Sequence, residues 1–210
     1  MSNEIPATQL YLISPLDVSG TFPERLERAI SAGPVAAFQF RVKDIEQHEA
    51  ARLAAPLQEI CKAHNVAFVV NDSVALAKRL GADGVHLGQS DGSPKDAREE
   101  LGREVQIGVT CHGSKHLAME AGEAGADYVA FGAFFASQTK EAKHYAELEV
   151  LEWWSKLFEI PSVAIGGVTP KNCQPLIDAG ADFLAVSGAV WNHDEAEAVK
   201  AFAQKLNPKS

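Results

Sequence analysis

A short apolar run, a turn and a longer amphipathic stretch recur eight times along this chain of 210 residues, and that rhythm restricts the fold more than any other feature. The apolar runs are Leu10 to Ile13, Val35 to Phe40, Ala67 to Val70, Val85 to Leu87, Val105 to Val109, Tyr128 to Phe131, Val163 to Ile165 and Phe183 to Val186. Val, Ile and Phe are frequent in them, as in strands buried on both faces. Between them lie stretches with helical spacing, such as Glu24 to Ser31, Glu46 to Ala63, Val74 to Leu80 and Leu148 to Phe158. Gly-Ala-Asp occurs at Gly81, Gly125 and Gly180, each time after a helical stretch and before an apolar run. A glycine just past a helix end accepts the left-handed conformation that closes the helix. Eight strands alternating with helices predict an α/β fold: one compact (β/α)8 TIM barrel over residues 1–210. An open doubly wound sheet would need a glycine-rich turn after its first strand, and Ile13-Ser14-Pro15-Leu16 is not one.

Composition narrows the partners. The formal net charge is −9, and there is no basic tract, which argues against nucleic acid and anionic membrane. No stretch approaches the roughly 18 apolar residues a membrane helix needs. Met1-Ser2-Asn3-Glu4 lacks a basic-then-apolar leader, and Cys61, Cys111 and Cys173 are an odd number without a CxxC pair. The expectation is a cytoplasmic protein with reduced thiols. Nothing in the sequence decides between a monomer and a homo-oligomer.

Barrel enzymes carry their sites at the carboxyl ends of the strands. The second strand ends Phe38-Gln39-Phe40-Arg41-Val42-Lys43. Alternation puts Phe38, Phe40 and Val42 toward the helices and Gln39, Arg41 and Lys43 toward the barrel, where two cations need an anionic partner. A polar strand end reaching solvent is the plain alternative. Asp72 follows the third strand and Asp91 the fourth. Together they suit a Mg2+ ion shared with substrate phosphate oxygens, although Asp72 or Ser73 could instead cap the helix from Val74, and Asp91 could sit in a Ser-Asp-Gly turn. Cys111 beside His112 is a weak nucleophile signal, since strand neighbours point opposite ways. Cys61 and His64 supply too few ligands for zinc. After the sixth strand, Ser137, Thr139 and Lys140 form a loop suited to phosphate, or an ordinary solvated loop. Gly166-Gly167 and Ser187-Gly188 follow strands seven and eight, where barrel enzymes bind monophosphates through backbone N–H groups.

The set Gln39-x-Arg41-x-Lys43, Asn71-Asp72, Ala82-Asp83-Gly84-Val85-His86-Leu87-Gly88-Gln89-x-Asp91, Thr139-Lys140, Ala164-Ile165-Gly166-Gly167 and Val186-Ser187 resembles the thiamine phosphate synthase family, in that family's order. The resemblance implies a transferase. It joins 4-amino-2-methyl-5-(diphosphooxymethyl)pyrimidine to 4-methyl-5-(2-phosphooxyethyl)thiazole, releasing pyrophosphate. In the family the C–O bond breaks first and the thiazole nitrogen captures the pyrimidine carbocation. Carried over, Gln39, Arg41, Lys43, Asn71, Thr110 and Lys140 would hold the pyrimidine diphosphate, with Arg41, Lys43, Lys140 and Thr110 the catalytic residues. Asp72 and Asp91 would hold Mg2+. Ser137, Gln138, Thr139, Gly167, Val186 and Ser187 would hold the thiazole phosphate. This chain has Thr110 where the family usually has serine, and Ser137 where it usually has threonine. Ala133 and Ala136 stand where prolines are more frequent. Two rivals stay open: a thiazole tautomerase, which has no need of Asp72, Asp91 or Arg41, and a non-catalytic module that binds thiamine-related phosphates.

Overall fold

A computed structural model of the chain describes residues 8–136 and 145–206. The strands are β1 (Gln9–Ile13), β2 (Ala37–Phe40), β3 (Ala67–Asn71), β4 (Gly84–Leu87), β5 (Gln106–His112), β6 (Tyr128–Phe131), β7 (Ser162–Ile165) and β8 (Phe183–Val186). Each pairs in parallel with the next, and β8 pairs with β1 to close an eight-stranded barrel. Around it lie α1 (Phe22–Ser31), α2 (Gln47–Ala63), α3 (Val74–Leu80), α4 (Pro94–Leu101), α5 (Lys115–Glu123), α6 (Leu148–Leu157), α7 (Gln174–Asp178), the short α8 (Gly188–Trp191) and α9 (Glu195–Leu206). Among the described residues no helix is long and apolar enough to cross a membrane.

The strands have two buried faces, and the sequence separates them residue by residue. Outward-facing Leu12, Phe38, Phe40, Phe68 and Phe131 pack against the helices. Inward-facing Tyr11, Ile13, Ala37, Val69, Tyr128, Ala130, Val163 and Ala185 fill the barrel. The largest departures from the apolar runs are at β2 and β5. Val35 lies before β2, buried in the turn. β5 runs on from Val109 to His112, with a register irregularity against β6 between Thr110 and His112. A bulge of this kind admits polar residues that an apolar-run criterion does not count.

The Gly-Ala-Asp repeat has one structural job performed three times. Gly81, Gly125 and Gly180 adopt φ of 59°, 93° and 88° within two residues of the ends of α3, α5 and α7. The aspartate two residues on then accepts from a backbone N–H at the foot of the preceding strand. The pairs are Asp83 with Phe68, Asp127 with Ile107 and Asp182 with Ser162, all at 2.7 Å. In return, the backbone N–H of each aspartate donates to the carbonyl of that same residue. These staples pin β3 to β4, β5 to β6 and β7 to β8 at the end of the barrel opposite the candidate site.

Asp182 holds both the backbone N–H and the side-chain hydroxyl of Ser162, which is fully buried. Asp182→Ala strands both groups and should cost about 1–3 kcal/mol, with Asp182→Asn costing less because an acceptor remains. Urea midpoints check this, and an unchanged midpoint for the alanine variant would contradict the staple.

Candidate active site at the carboxyl ends of the strands

Alternation at the end of β2 places Gln39 inside the barrel, 3% exposed, between the outward rings of Phe38 and Phe40. One residue just past β1 then sets the start of the next segment. The buried Ser14 hydroxyl accepts from the Arg41 backbone N–H at 2.9 Å and lies within 3.2 Å of the Arg41 carbonyl. The two strand ends are thereby joined, and Arg41 emerges at the barrel mouth. Lys43 follows, half exposed, with its Nζ 4.0 Å from Asp72 Oδ2.

Asp72 and Asp91 come together, and neither caps a helix. Ser73 caps α3 by accepting from the Leu76 N–H, and Ser93 caps α4 by accepting from the Lys95 N–H. Asp72 takes the left-handed conformation, φ 64°, and its N–H donates to the His86 carbonyl. Asp91 folds back to accept from the Gly88 N–H at 2.9 Å, so it does occupy a turn. Partial burial raises the Asp72 carboxyl above its ordinary value, and hydrogen bonding and repulsion from Asp91 raise it further; Lys43 and Arg41 pull it down. Two carboxyl groups and two cations therefore share one neighbourhood at the ends of β2, β3 and β4. Asn71, at the end of β3, lines a cleft of about 180 Å³ there, together with Lys43, Asp44 and Asp72.

Below this charged rim runs a chain of neutral polar side chains. Gln39 Nε2 donates to the Tyr11 hydroxyl at 3.0 Å, and the Tyr11 and Tyr128 hydroxyls are 2.9 Å apart. His86 Nδ1 lies 3.0 Å from the Tyr128 hydroxyl, and its Nε2 lies 2.8 Å from Thr110 Oγ1. Burial holds the His86 imidazole down at about 4 and the Tyr11 phenol up at about 12, so all these groups are neutral at pH 7. Sequence reasoning picked out the two ends of this chain, Gln39 and Thr110, and missed its middle. Tyr11 and Tyr128 lie within the apolar runs read as strands; the signal for them is their inward register, shared with Gln39.

On the far side of the mouth, the double glycine after β7 is explained by close packing. A Cβ on Gly167 would lie 2.4 Å from the Ala136 carbonyl oxygen, and one on Gly166 would lie 2.4 Å from Ala133 Cβ. The segment after β6 runs along this edge, with the Phe134 and Phe135 N–H groups bonded to the Ile165 and Gly166 carbonyls. Ala136 is thus held against β7. Ser137, Gln138, Thr139 and Lys140 lie outside the described residues. At β8, Val186 is buried and Ser187 begins the short α8, its hydroxyl 3.4 Å from the Ser14 carbonyl. Trp191 bolts the same corner by donating to the Ile13 carbonyl at 2.6 Å.

The cysteines do not join the site. Cys61, Cys111 and Cys173 are buried, and burial pushes the first two thiols up to about 12. Such thiols are poor nucleophiles. The His64 ring is engaged with Glu27.

Comparison with known proteins places this geometry among relatives. A family model described as thiamine monophosphate synthase matches residues 10–190. The chain is 77% identical over 208 residues to the thiamine-phosphate synthase of Erythrobacter litoralis, with 97% of each chain covered. It is 50% identical over 186 residues to that of Rhodospirillum centenum, covering 88% of this chain and 90% of the relative. Among solved structures, a thiamine phosphate pyrophosphorylase from Pyrococcus furiosus matches with a TM-score of 0.86 at 28% identity, covering 98% of both chains.

The buried His86 makes a pH prediction. Its imidazole titrates near 6.5 when unfolded and near 4 when folded, so between those values the unfolded chain binds the extra proton. Stability therefore falls as pH drops through that window, by up to about 3 kcal/mol from this group. His86→Gln has no titrating group there and should keep more of its own pH 7 stability at pH 4.5, read from denaturant midpoints. Equal losses in both proteins would show that His86 accepts a proton without penalty in the fold.

Proposed function

The chain belongs to the thiamine monophosphate synthase family, and from that premise we propose that it joins the aminopyrimidine methyl diphosphate to the thiazole ethyl phosphate, giving thiamine phosphate and pyrophosphate. It is a transferase acting on small phosphorylated substrates. The observation that carries the assignment of the site is the grouping of Asp72 and Asp91 with Arg41 and Lys43 at the ends of β2, β3 and β4. An isomerase acting on the thiazole phosphate alone has no use for such a cluster.

The carboxyl pair fits Mg2+. Asp72 and Asp91 are close enough to hydrogen-bond one another, an arrangement that a hard cation replaces with shared coordination. Among the described residues no third His, Cys, Asp or Glu joins them. That number suits Mg2+, which takes one or two protein carboxylates and completes its shell with water and phosphate oxygens. When bound, the ion offsets the charge that builds on the departing diphosphate.

The residues of the chain do the rest. Arg41 and Lys43 bind the diphosphate at the mouth, joined by Lys140, and favour cleavage of the C–O bond with both electrons leaving on pyrophosphate. Gln39, Asn71 and Thr110 hold the pyrimidine above the barrel floor. Gly167, Val186 and Ser187, with Ser137, Gln138 and Thr139, hold the thiazole phosphate so that the ring nitrogen faces the carbocation. The reaction uses no nucleophilic side chain, in keeping with the buried, inert thiols.

Mixing both substrates with Mg2+ should release one pyrophosphate for each thiamine phosphate formed. Isomerisation of the thiazole without pyrophosphate would overturn the proposal. Arg41→Ala should lower kcat/KM by about 100-fold and Arg41→Lys by less, with thermal stability kept, because a phosphate needs both the charge and the fork. A large loss of stability without ligand would make Arg41 a structural ion-pair partner instead. Asp72→Asn and Asp91→Asn should each raise the Mg2+ concentration needed and slow turnover. Full activity of both variants in a chelator would remove the metal from these residues.

A further inference from the structure

The hydrogen-bonded chain under the site joins five strands, and only its two ends are assigned contacts with substrate. Gln39 stands on β2, Tyr11 on β1, Tyr128 on β6, His86 on β4 and Thr110 on β5. The middle three are 3%, 8% and 7% exposed in the order Tyr11, Tyr128, His86, and are too deep to serve solvent. Each hydroxyl has one proton to give, and a neutral imidazole has one N–H. Such a chain has two self-consistent proton arrangements, running in opposite directions. The orientation of Gln39 selects one of them. Its Nε2 donates to Tyr11, so the Tyr11 proton must go to Tyr128 and the Tyr128 proton to His86 Nδ1. In that direction His86 carries its hydrogen on Nε2 and donates to Thr110, whose own hydroxyl proton is not used within the chain. Reversal would require Gln39 to turn its amide, both tyrosine hydroxyls to rotate and His86 to change tautomer together.

We propose that Tyr11, Tyr128 and His86 are positioning residues that fix the donor and acceptor polarity of Gln39 and Thr110, so that the site accepts a 4-aminopyrimidine and rejects its 4-oxo counterpart. The inference rests on the function proposed above. An amino group at C4 donates, and the adjacent ring nitrogen accepts. The 4-oxo ring presents the reverse pair, an accepting oxygen beside a ring N–H. A Gln39 amide whose nitrogen end is tied to Tyr11 holds its carbonyl end in a fixed place, which complements the first ring and opposes the second. A site whose polar groups cannot turn discriminates strongly between two such ligands, because the wrong one leaves buried groups unpaired.

Two measurements test this. The first is nitrogen-15 NMR of His86 in the free protein at pH 7. The Nε2–H tautomer is expected, and an Nδ1–H tautomer or a protonated ring would overturn the proposal without any assay. The second compares the pyrimidine methyl monophosphates carrying amino or oxo at C4 as inhibitors of the wild type, Tyr11→Phe and Tyr128→Phe. Each variant should narrow the preference for the amino compound by about tenfold or more, with the KM for the thiazole phosphate little changed. If both inhibitors weaken together and their ratio holds, the chain is only structural and the proposal fails. A wild type that forms no thiamine phosphate would instead defeat the underlying function, and that outcome is read separately from the inhibitor ratio.

Discussion

A closed barrel of parallel strands has an interior that water does not reach, so each polar group placed there needs its partner inside. In this chain the need is met by the contact between Tyr11 and Tyr128, whose rings meet edge-on with centroids 6.1 Å apart. Space for the second ring comes from Gly108, where a Cβ would lie 1.9 Å from the Tyr128 ring. A glycine on β5 thus admits a tyrosine from β6, and that tyrosine anchors His86 and, through Tyr11, Gln39. The floor so formed sets the depth at which the site begins. Neutral groups that need fixed orientation lie at the bottom, and charged groups that need hydration sit at the rim, where Lys43 and Asp72 are 47% and 37% exposed.

The charge pattern at the rim follows from the same geometry. The chain carries a net −9, yet the mouth gathers Arg41 and Lys43 against Asp72 and Asp91. A balanced cluster of this kind holds an anion poorly by itself and a cation poorly by itself. It suits the two arriving together, which is the form in which the proposed diphosphate would bind. Ser14 ties this half of the mouth to the other: its hydroxyl fixes the Arg41 backbone, and its carbonyl receives the Ser187 hydroxyl.

Much of this was readable from residue order, because it depends on periods and on local chemistry. Alternation along Phe38 to Lys43 separates the lumen from the helix-facing core, and Gly-Ala-Asp marks helix ends. The sequence could not tell whether Asp72 or Ser73 caps α3, since both residue types cap well; the fold gives that cap to Ser73 and frees the carboxyl. Nor could it show why two glycines follow β7. Their reason is the approach of Ala133 and Ala136, residues distant in the chain. The polar chain through the barrel was hidden for a different reason. Tyr11, His86 and Tyr128 are spread over more than half of the sequence, and only barrel closure makes them neighbours.

In the proposed function one end of the mouth holds a diphosphate with its cation and the other holds a monophosphate. A crystal structure of the chain grown with Mg2+, pyrophosphate and thiamine phosphate tests it most directly. Pyrophosphate should contact Arg41 and Lys43, with Mg2+ shared between it and Asp72 and Asp91, and the thiamine phosphate group should lie against Gly167 and Ser187. Pyrophosphate at the β7 and β8 end, or Mg2+ bound away from both aspartates, would contradict it.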